Sequence, residues 1–186
     1  MDKTLIGGME KREIVLVDYD EGWRARFEGH AHAIRRALGS SALAIEHVGS
    51  TSVPKLAAKP IIDILVVVED SGLEAAYLPA LVNAGYVLRV REPDWHQHRM
   101  FRTPDLDVHV HIFSAGCVEI RRQLAFRDRL RSSVEDRSLY ESVKKKLAKE
   151  DWPDMNAYAQ AKSDVIEQII LRASREANHR STMRFD

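Results

Sequence analysis

Three groups of residues could carry chemistry in this chain. The first is Gly49-Ser50-Thr51-Ser52. Glycine lets the backbone turn tightly and approach a ligand closely. Three hydroxyls beside free backbone N–H groups suit phosphate oxygens. Asp63 follows, inside an otherwise apolar run from Ile61 to Val68. An ionised carboxylate there is costly unless it meets a cation or good donors. Asp63 is therefore either the ligand of a divalent metal that bridges phosphates or a buried, hydrogen-bonded strand residue. The second group is His109 and His111, which alternate with Val108, Val110 and Ile112, so both imidazoles share one strand face. They could ligate a metal, act as a base, hydrogen-bond a substrate, or simply occupy a surface. The third group is basic. Tyr140 and Lys144 are one helical turn apart, as are Tyr158 and Lys162, and each pair shares a helix face. Such pairs build either an anion site or a solvated face with aromatic anchors. Lys59, just before Pro60, is a phosphate contact or an exposed loop charge. His96 and His98 lie beside a turn and read as solvent-exposed, with a metal role alongside His109 as the alternative, and Cys117 has no basic neighbours to activate its thiol.

The chain that must position these groups has 186 residues, enough for one domain with a substantial core. Lys plus Arg and Asp plus Glu stand at 28 each, so no global basic field argues for nucleic acid, and any anion site must be local. The single cysteine excludes an intrachain disulfide and fits a reducing compartment. There is no long apolar run and no signal-peptide pattern. The expectation is a cytoplasmic protein with no membrane and no nucleic-acid partner.

Residues 1–12 are polar and read as loose. A short strand is expected at 13–17, followed by a helix capped by Asp20, with Trp23, Phe27, Ile34 and Leu38 as its apolar stripe. Gly39-Ser40-Ser41 ends it. Strand, turn and strand fill 43–68. A second helix is expected near 73–84, stopped by Asn83 and Gly85, then a strand at 86–90 and a turn at 91–94. A hairpin of 99–102 with 108–113 folds around Thr103-Pro104-Asp105. From about 118 the pattern changes to charged helices at 118–132, 136–150 and 154–175, the last capped by Asp154 after Trp152-Pro153. Residues 176–186 read as frayed. No repeat or linker divides the chain, so residues 1–186 read as a single domain, an α/β half with a helical C-terminal third packed on it.

One string is more specific. Glu46-His47-Val48-Gly49-Ser50-Thr51-Ser52-Val53-Pro54, followed by Leu56-Ala57-Ala58-Lys59-Pro60-Ile61-Ile62-Asp63-Ile64, resembles the signature of the GrpB family. Similarity extends over nearly the whole chain. It takes in Val17-Asp18-Tyr19-Asp20 with Trp23 and Phe27, His109-Val110-His111, Phe126-Arg127-Asp128 with Leu130 and Arg131, and both Tyr-x-x-x-Lys pairs. The resemblance implies an α/β, nucleotidyltransferase-like mixed β-sheet flanked by helices, with a C-terminal helical layer. It further implies that Gly49 and Ser50 contact the nucleotide phosphates and that Asp63 holds a divalent metal. Joined with the residues read above, the expected nucleotide site is His47, Gly49, Ser50, Thr51, Ser52, Lys59, Lys144 and Lys162. Asp63, His109 and His111 would be the catalytic residues, with Asp63 and His111 holding Mg²⁺ or Mn²⁺. Three positions depart from the pattern. Leu65 stands where the superfamily has a second acid, His109 or His111 where it has a third, and Lys55 where the family has glycine. One carboxylate offers less charge to a pair of metal ions. The expected activity is transfer of a nucleotidyl group from a nucleoside triphosphate to a small-molecule acceptor. The alternative is a non-catalytic nucleotide-binding or accessory module linked to coenzyme A metabolism, since the family also occurs fused to dephospho-coenzyme A kinases.

Overall fold

Valine and isoleucine crowd two stretches of the chain, and their branched, χ1-restricted side chains favour a pleated surface. In the computed structural model, which describes residues 5–8 and 13–182, these stretches are β2 (Ile62–Val68) and β5 (Val108–Ser114). They lie parallel at the centre of a five-stranded sheet. β1 (Ala44–Val48) pairs antiparallel with β2. β4 (His98–Arg102) pairs antiparallel with β5, and β3 (Val87–Glu92) with β4, giving the order β1-β2-β5-β4-β3. The fold is α/β, a mixed sheet flanked by helices with a C-terminal helical layer, as expected.

Side-chain parity divides the sheet. Ile62, Ile64 and Val66 of β2 join Val108, Val110 and Ile112 of β5 in a core under α1 (Gly22–Leu38) and α2 (Leu78–Asn83). Trp23, Ile34 and Leu38 of α1 close this face, and each buried side chain of this size stabilises by roughly 1.5–3 kcal/mol. The opposite parity, Asp63, Leu65 and Val67 with His109, His111 and Phe113, belongs to the other face. That face is roofed by α3 (Val118–Ser132), α4 (Val134–Leu147), α5 (Met155–Gln160) and α6 (Ser163–Thr182).

Val53 and Leu56, from the loop after the Gly49 turn, share a cluster with Leu130, Tyr140, Val165 and Ile169. We propose on this ground that the helical layer and the sheet fold as one unit. A chain cut after Ser114 uncovers Val53, Leu56, Leu65 and Phe113, and it should show no single cooperative melt by circular dichroism. A sharp transition at the parent temperature would make the helices a separate unit.

Some elements differ from expectation. Residues 13–17 form no strand beyond a single bridge from Val17 to Ala58. Val15 and Val17 are exposed while Ile14 and Leu16 on the other face are half-buried, so the segment packs on the protein without extending the sheet. The helix expected at 73–84 is a 3₁₀ turn, Glu74–Ala76, and then the short α2, which starts at Leu78 and accommodates Pro79 because proline needs no helical donor in the first turn. β3 runs on to Glu92, so the turn follows it rather than starting at 91. The last helix is two. A break at 161–162 separates α5 from α6, and α6 continues to Thr182 where fraying was expected. Asp154 caps α5 as expected, its Oδ1 accepting from the backbone N–H groups of Asn156 (2.8 Å) and Ala157 (2.9 Å). Residues 1–4, 9–12 and 183–186 lie outside the described residues.

Candidate functional site

Gly49 has φ +69°, a left-handed backbone that favours glycine. A Cβ there would also overlap the Asp63 carboxylate, with Asp63 Cγ 3.0 Å away, so the turn and the acid can meet only across a glycine. Behind the turn the hydroxyls hold it in shape. Ser52 Oγ donates to Gly49 O (2.6 Å), and Thr51 Oγ1 donates to Ile61 O (3.1 Å). Thr51 Oγ1 can then only accept from His47 Nε2, 3.1 Å away. His47 stacks on Phe27 at 4.6 Å, and burial pushes its pKa down to about 4, which leaves a neutral ring. Two arginines of α3 hold the same backbone. Arg131 donates twice to Ser52 O (3.0 and 2.8 Å), and Arg127 donates to His47 O (3.1 Å) while pairing with Glu46. Of the five residues expected here for nucleotide contact, Gly49, Ser50 and Thr51 line a cavity of about 890 Å³, while His47 and Ser52 support it from behind. Lys55 is exposed at φ +66°, so it occupies a glycine-favouring backbone at a strain of about 1–2 kcal/mol and does not line the cavity.

The same cavity holds Asp63, His109 and His111. Asp63 pairs with His109 in the parallel register of β2 and β5. His109 Nδ1 lies 3.4 Å from Asp63 Oδ1, and His111 Nε2 lies 3.7 Å from it. One ligand atom from each residue fits within 4.8 Å of the others. Burial pushes the Asp63 carboxyl up, but the two imidazoles outweigh it and hold the group well below the usual carboxylate range. One ionised oxygen and two imidazole nitrogens are a donor set that could hold a divalent cation. Leu65, at the position where the resembled pattern has a second acid, is fully buried with Val48, Val67 and Phe113 beneath Ile120 and Leu124 of α3.

His98 differs most from its reading as an exposed turn residue. It is 6% exposed, with Nε2 3.0 Å from His111 Nδ1 and Nδ1 2.6 Å from Glu92 Oε2. The reason is non-local: Glu92 and His98 are cross-strand partners, and β4 lays His98 beside β5. Burial lowers the His98 pKa, partly offset by Glu92. His96 is exposed, as expected.

A cationic wall completes the site. Lys144 is 2% exposed, and its Nζ donates to Ser50 Oγ (3.0 Å) and to Ala57 O while lying over the Tyr140 ring. Lys162 and Lys59 sit over the Tyr158 ring, at 4.6 and 5.2 Å. Burial, reinforced by the neighbouring lysines, pulls Lys144 down to about 7 and Lys162 to about 8. The Tyr158 hydroxyl is buried with no hydrogen-bond partner among the described residues. Crowded ammonium groups and an orphaned hydroxyl on a cavity wall are what an anionic ligand would satisfy. The break between α5 and α6 is what carries Lys162 there; an unbroken helix had been expected from sequence spacing.

Fold and site define an α/β protein with a glycine-serine turn, a carboxylate–imidazole cluster and a lysine wall around one cavity. The chain belongs to the GrpB family: the family model described as GrpB protein matches residues 13–172. It is 52% identical to the UPF0157 protein BH1888 of Halalkalibacterium halodurans over 161 residues, 87% of this chain and 83% of that one. Its fold is similar to the crystal structure of conserved protein GrpB from Enterococcus faecalis. The TM-score is 0.78 at 34% identity, covering 88% of this chain and 99% of that one. A dephospho-CoA kinase of Mycolicibacterium paratuberculosis is 28% identical over 85% of this chain, which spans 45% of that protein. No helix among the described residues is long and apolar enough to cross a membrane.

Proposed function

We propose that this chain binds a nucleoside triphosphate with a divalent cation and transfers its nucleotidyl group to a small-molecule acceptor. The supporting observation is that the Asp63–His109–His111 cluster and the Ser50–Lys144 contact line one cavity. Asp63 and His111 hold the cation, which when bound neutralises phosphate charge and orients the phosphoryl group. An imidazole among the ligands tilts the choice toward Mn²⁺, since Mg²⁺ prefers oxygen donors. Asp63 also orients His109 through Nδ1, leaving Nε2 to take the proton of an acceptor hydroxyl. The acceptor oxygen bonds to the α-phosphorus, the bond to the bridging oxygen breaks, and pyrophosphate leaves with the electron pair. Lys59, Lys144 and Lys162 meet its charge.

A second reading is a non-catalytic nucleotide-binding or accessory module. The apolar burial of Leu65 favours it, because a paired-carboxylate, two-metal arrangement has no place there. The relative named dephospho-CoA kinase makes coenzyme A precursors the ligands to include. A thermal-shift screen of nucleoside triphosphates and coenzyme A precursors, with Mn²⁺ or Mg²⁺, is followed by pyrophosphate detection over a panel of acceptors. A triphosphate should raise the melting temperature only with the cation and release pyrophosphate with one acceptor class. Stabilisation without release favours the accessory module. A protein that no nucleotide stabilises would end both readings.

A further inference from the structure

A row of polar side chains crosses four strands of the sheet. Glu92 on β3, His98 on β4, His111 on β5 and Asp63 on β2 follow one another at 2.6, 3.0 and 3.7 Å. The hydrogen-bond directions in this row are constrained. An ionised carboxylate only accepts, so the proton of a neutral His98 sits on Nδ1, facing Glu92. His98 Nε2 is then an acceptor, and the proton of His111 must sit on Nδ1. His111 Nε2 is left as a bare lone pair facing the Asp63 carboxylate oxygen, two acceptors with no proton between them. That arrangement is unfavourable in itself and is resolved by a cation. In the metal-free protein it is therefore His109, through Nδ1–H, that holds the Asp63 carboxyl low, and His111 adds to this only as an imidazolium.

The segment that delivers His98 is held firmly. Arg99 is 4% exposed, its Nε pairs with Glu74 (2.5 Å), and its Nη1 donates to the carbonyls of Gln97 and His98. His96 and Gln97 both have φ near +50° (55° and 52°), a conformation the surroundings must enforce.

We propose that Glu92 and His98 are positioning residues that lock His111 in the tautomer presenting Nε2 to a divalent cation shared with Asp63. This rests on the assignment of Asp63 and His111 as cation ligands. Outer partners of metal-bound histidines typically contribute 10–100-fold in metal affinity.

Two measurements test it, both on the full chain at about pH 8, above the ordinary imidazole range. Long-range ¹H–¹⁵N spectra of the metal-free protein should show His111 protonated on Nδ1 and bare at Nε2. Mn²⁺ alone is then titrated, with free ion counted by electron paramagnetic resonance. His98→Phe keeps the ring beside Phe113, removes the hydrogen bond, and should weaken Mn²⁺ binding by roughly 10–100-fold. Glu92, at the half-buried end of the row, supplies the second variant pair. Glu92→Ala should weaken binding in the same direction, and Glu92→Gln, whose carbonyl still accepts from His98, should restore most of it. A His111 proton on Nε2 in the parent overturns the proposal, as do His98→Phe and Glu92→Ala variants that bind Mn²⁺ like the parent. If the parent shows the stated tautomer but binds no Mn²⁺, the cation assignment fails and the proposal with it; only that outcome touches the functional reading.

Discussion

Asp63→Asn should abolish cation-dependent nucleotide binding while the protein still folds. The amide carries no charge and is a poor ligand, and it stands at the point where both imidazoles and the Gly49 turn converge. A ligand at 100 times its Kd stabilises a folded chain by about 2.7 kcal/mol. For a protein of this size that is roughly 5–10 °C of melting temperature. The parent should show a shift of that order with Mn²⁺ and nucleotide together, and Asp63→Asn essentially none. The competing structural role makes the opposite prediction. A carboxylate that anchored the fold by accepting hydrogen bonds would, as an amide, lose about 1–3 kcal/mol in the apo protein and leave binding intact. The nearest partners of the Asp63 carboxylate are two side-chain imidazoles at 3.4 and 3.7 Å, which gives an anchoring role little to act through. Paired melting curves with and without ligand decide it: an apo-destabilised variant that binds normally would remove Asp63 from the cation site.

Lys144→Met should weaken triphosphate binding by roughly 10–100-fold, the usual effect of losing a charge-assisted hydrogen bond. Methionine keeps the apolar stem over Tyr140 but cannot reach Ser50 Oγ or a phosphate as a donor. The pH dependence gives a second signature. The pKa of Lys144 is about 7 in the folded chain and 10.5 when unperturbed. Between those values the unfolded chain holds the extra proton, so the stability of the apo protein rises with pH across that window. Lys162, at about 8, contributes in the same sense over the upper part of it. Triphosphate binding has the opposite sign, because the ammonium form attracts it, and affinity should fall as pH rises through 7.5 to 9. In Lys144→Met both slopes should become shallower. Unchanged slopes would mean that Lys144 does not titrate where its surroundings place it.

What could be read from sequence was local. Gly49-Ser50 beside a β-branched strand announced a turn facing a carboxylate, and strand parity placed His109 and His111 on one face. Asp154 as a cap and Trp23, Ile34 and Leu38 as a core stripe were equally legible, because each depends on neighbours a few residues away. What failed was set by partners far along the chain. His98 reads as a turn residue until β3 and β4 pair and place it between Glu92 and His111. The valines at 15 and 17 suggest a strand, but among the described residues only Ala58 pairs with that segment. Helical spacing put Tyr140 and Lys144 on one face without showing that the ammonium would be buried against Ser50 and Ala57. Arg127 and Arg131 stand out in the sequence only through the family pattern, and their purpose becomes visible only when the carbonyls of His47 and Ser52 arrive in front of them.

Leu65 has a consequence for redesign. It is closed in by Val48, Val67 and Phe113 and roofed by Ile120 and Leu124. An aspartate there would be an unpaired charge in an apolar compartment, with the helix above blocking both water and metal. A single substitution could therefore not install an acidic pair; α3 would have to move and its underside turn polar first. The position works as a lock. With aliphatic packing closed around residue 65, the cavity is confined to whatever chemistry a single carboxylate and its imidazoles can support.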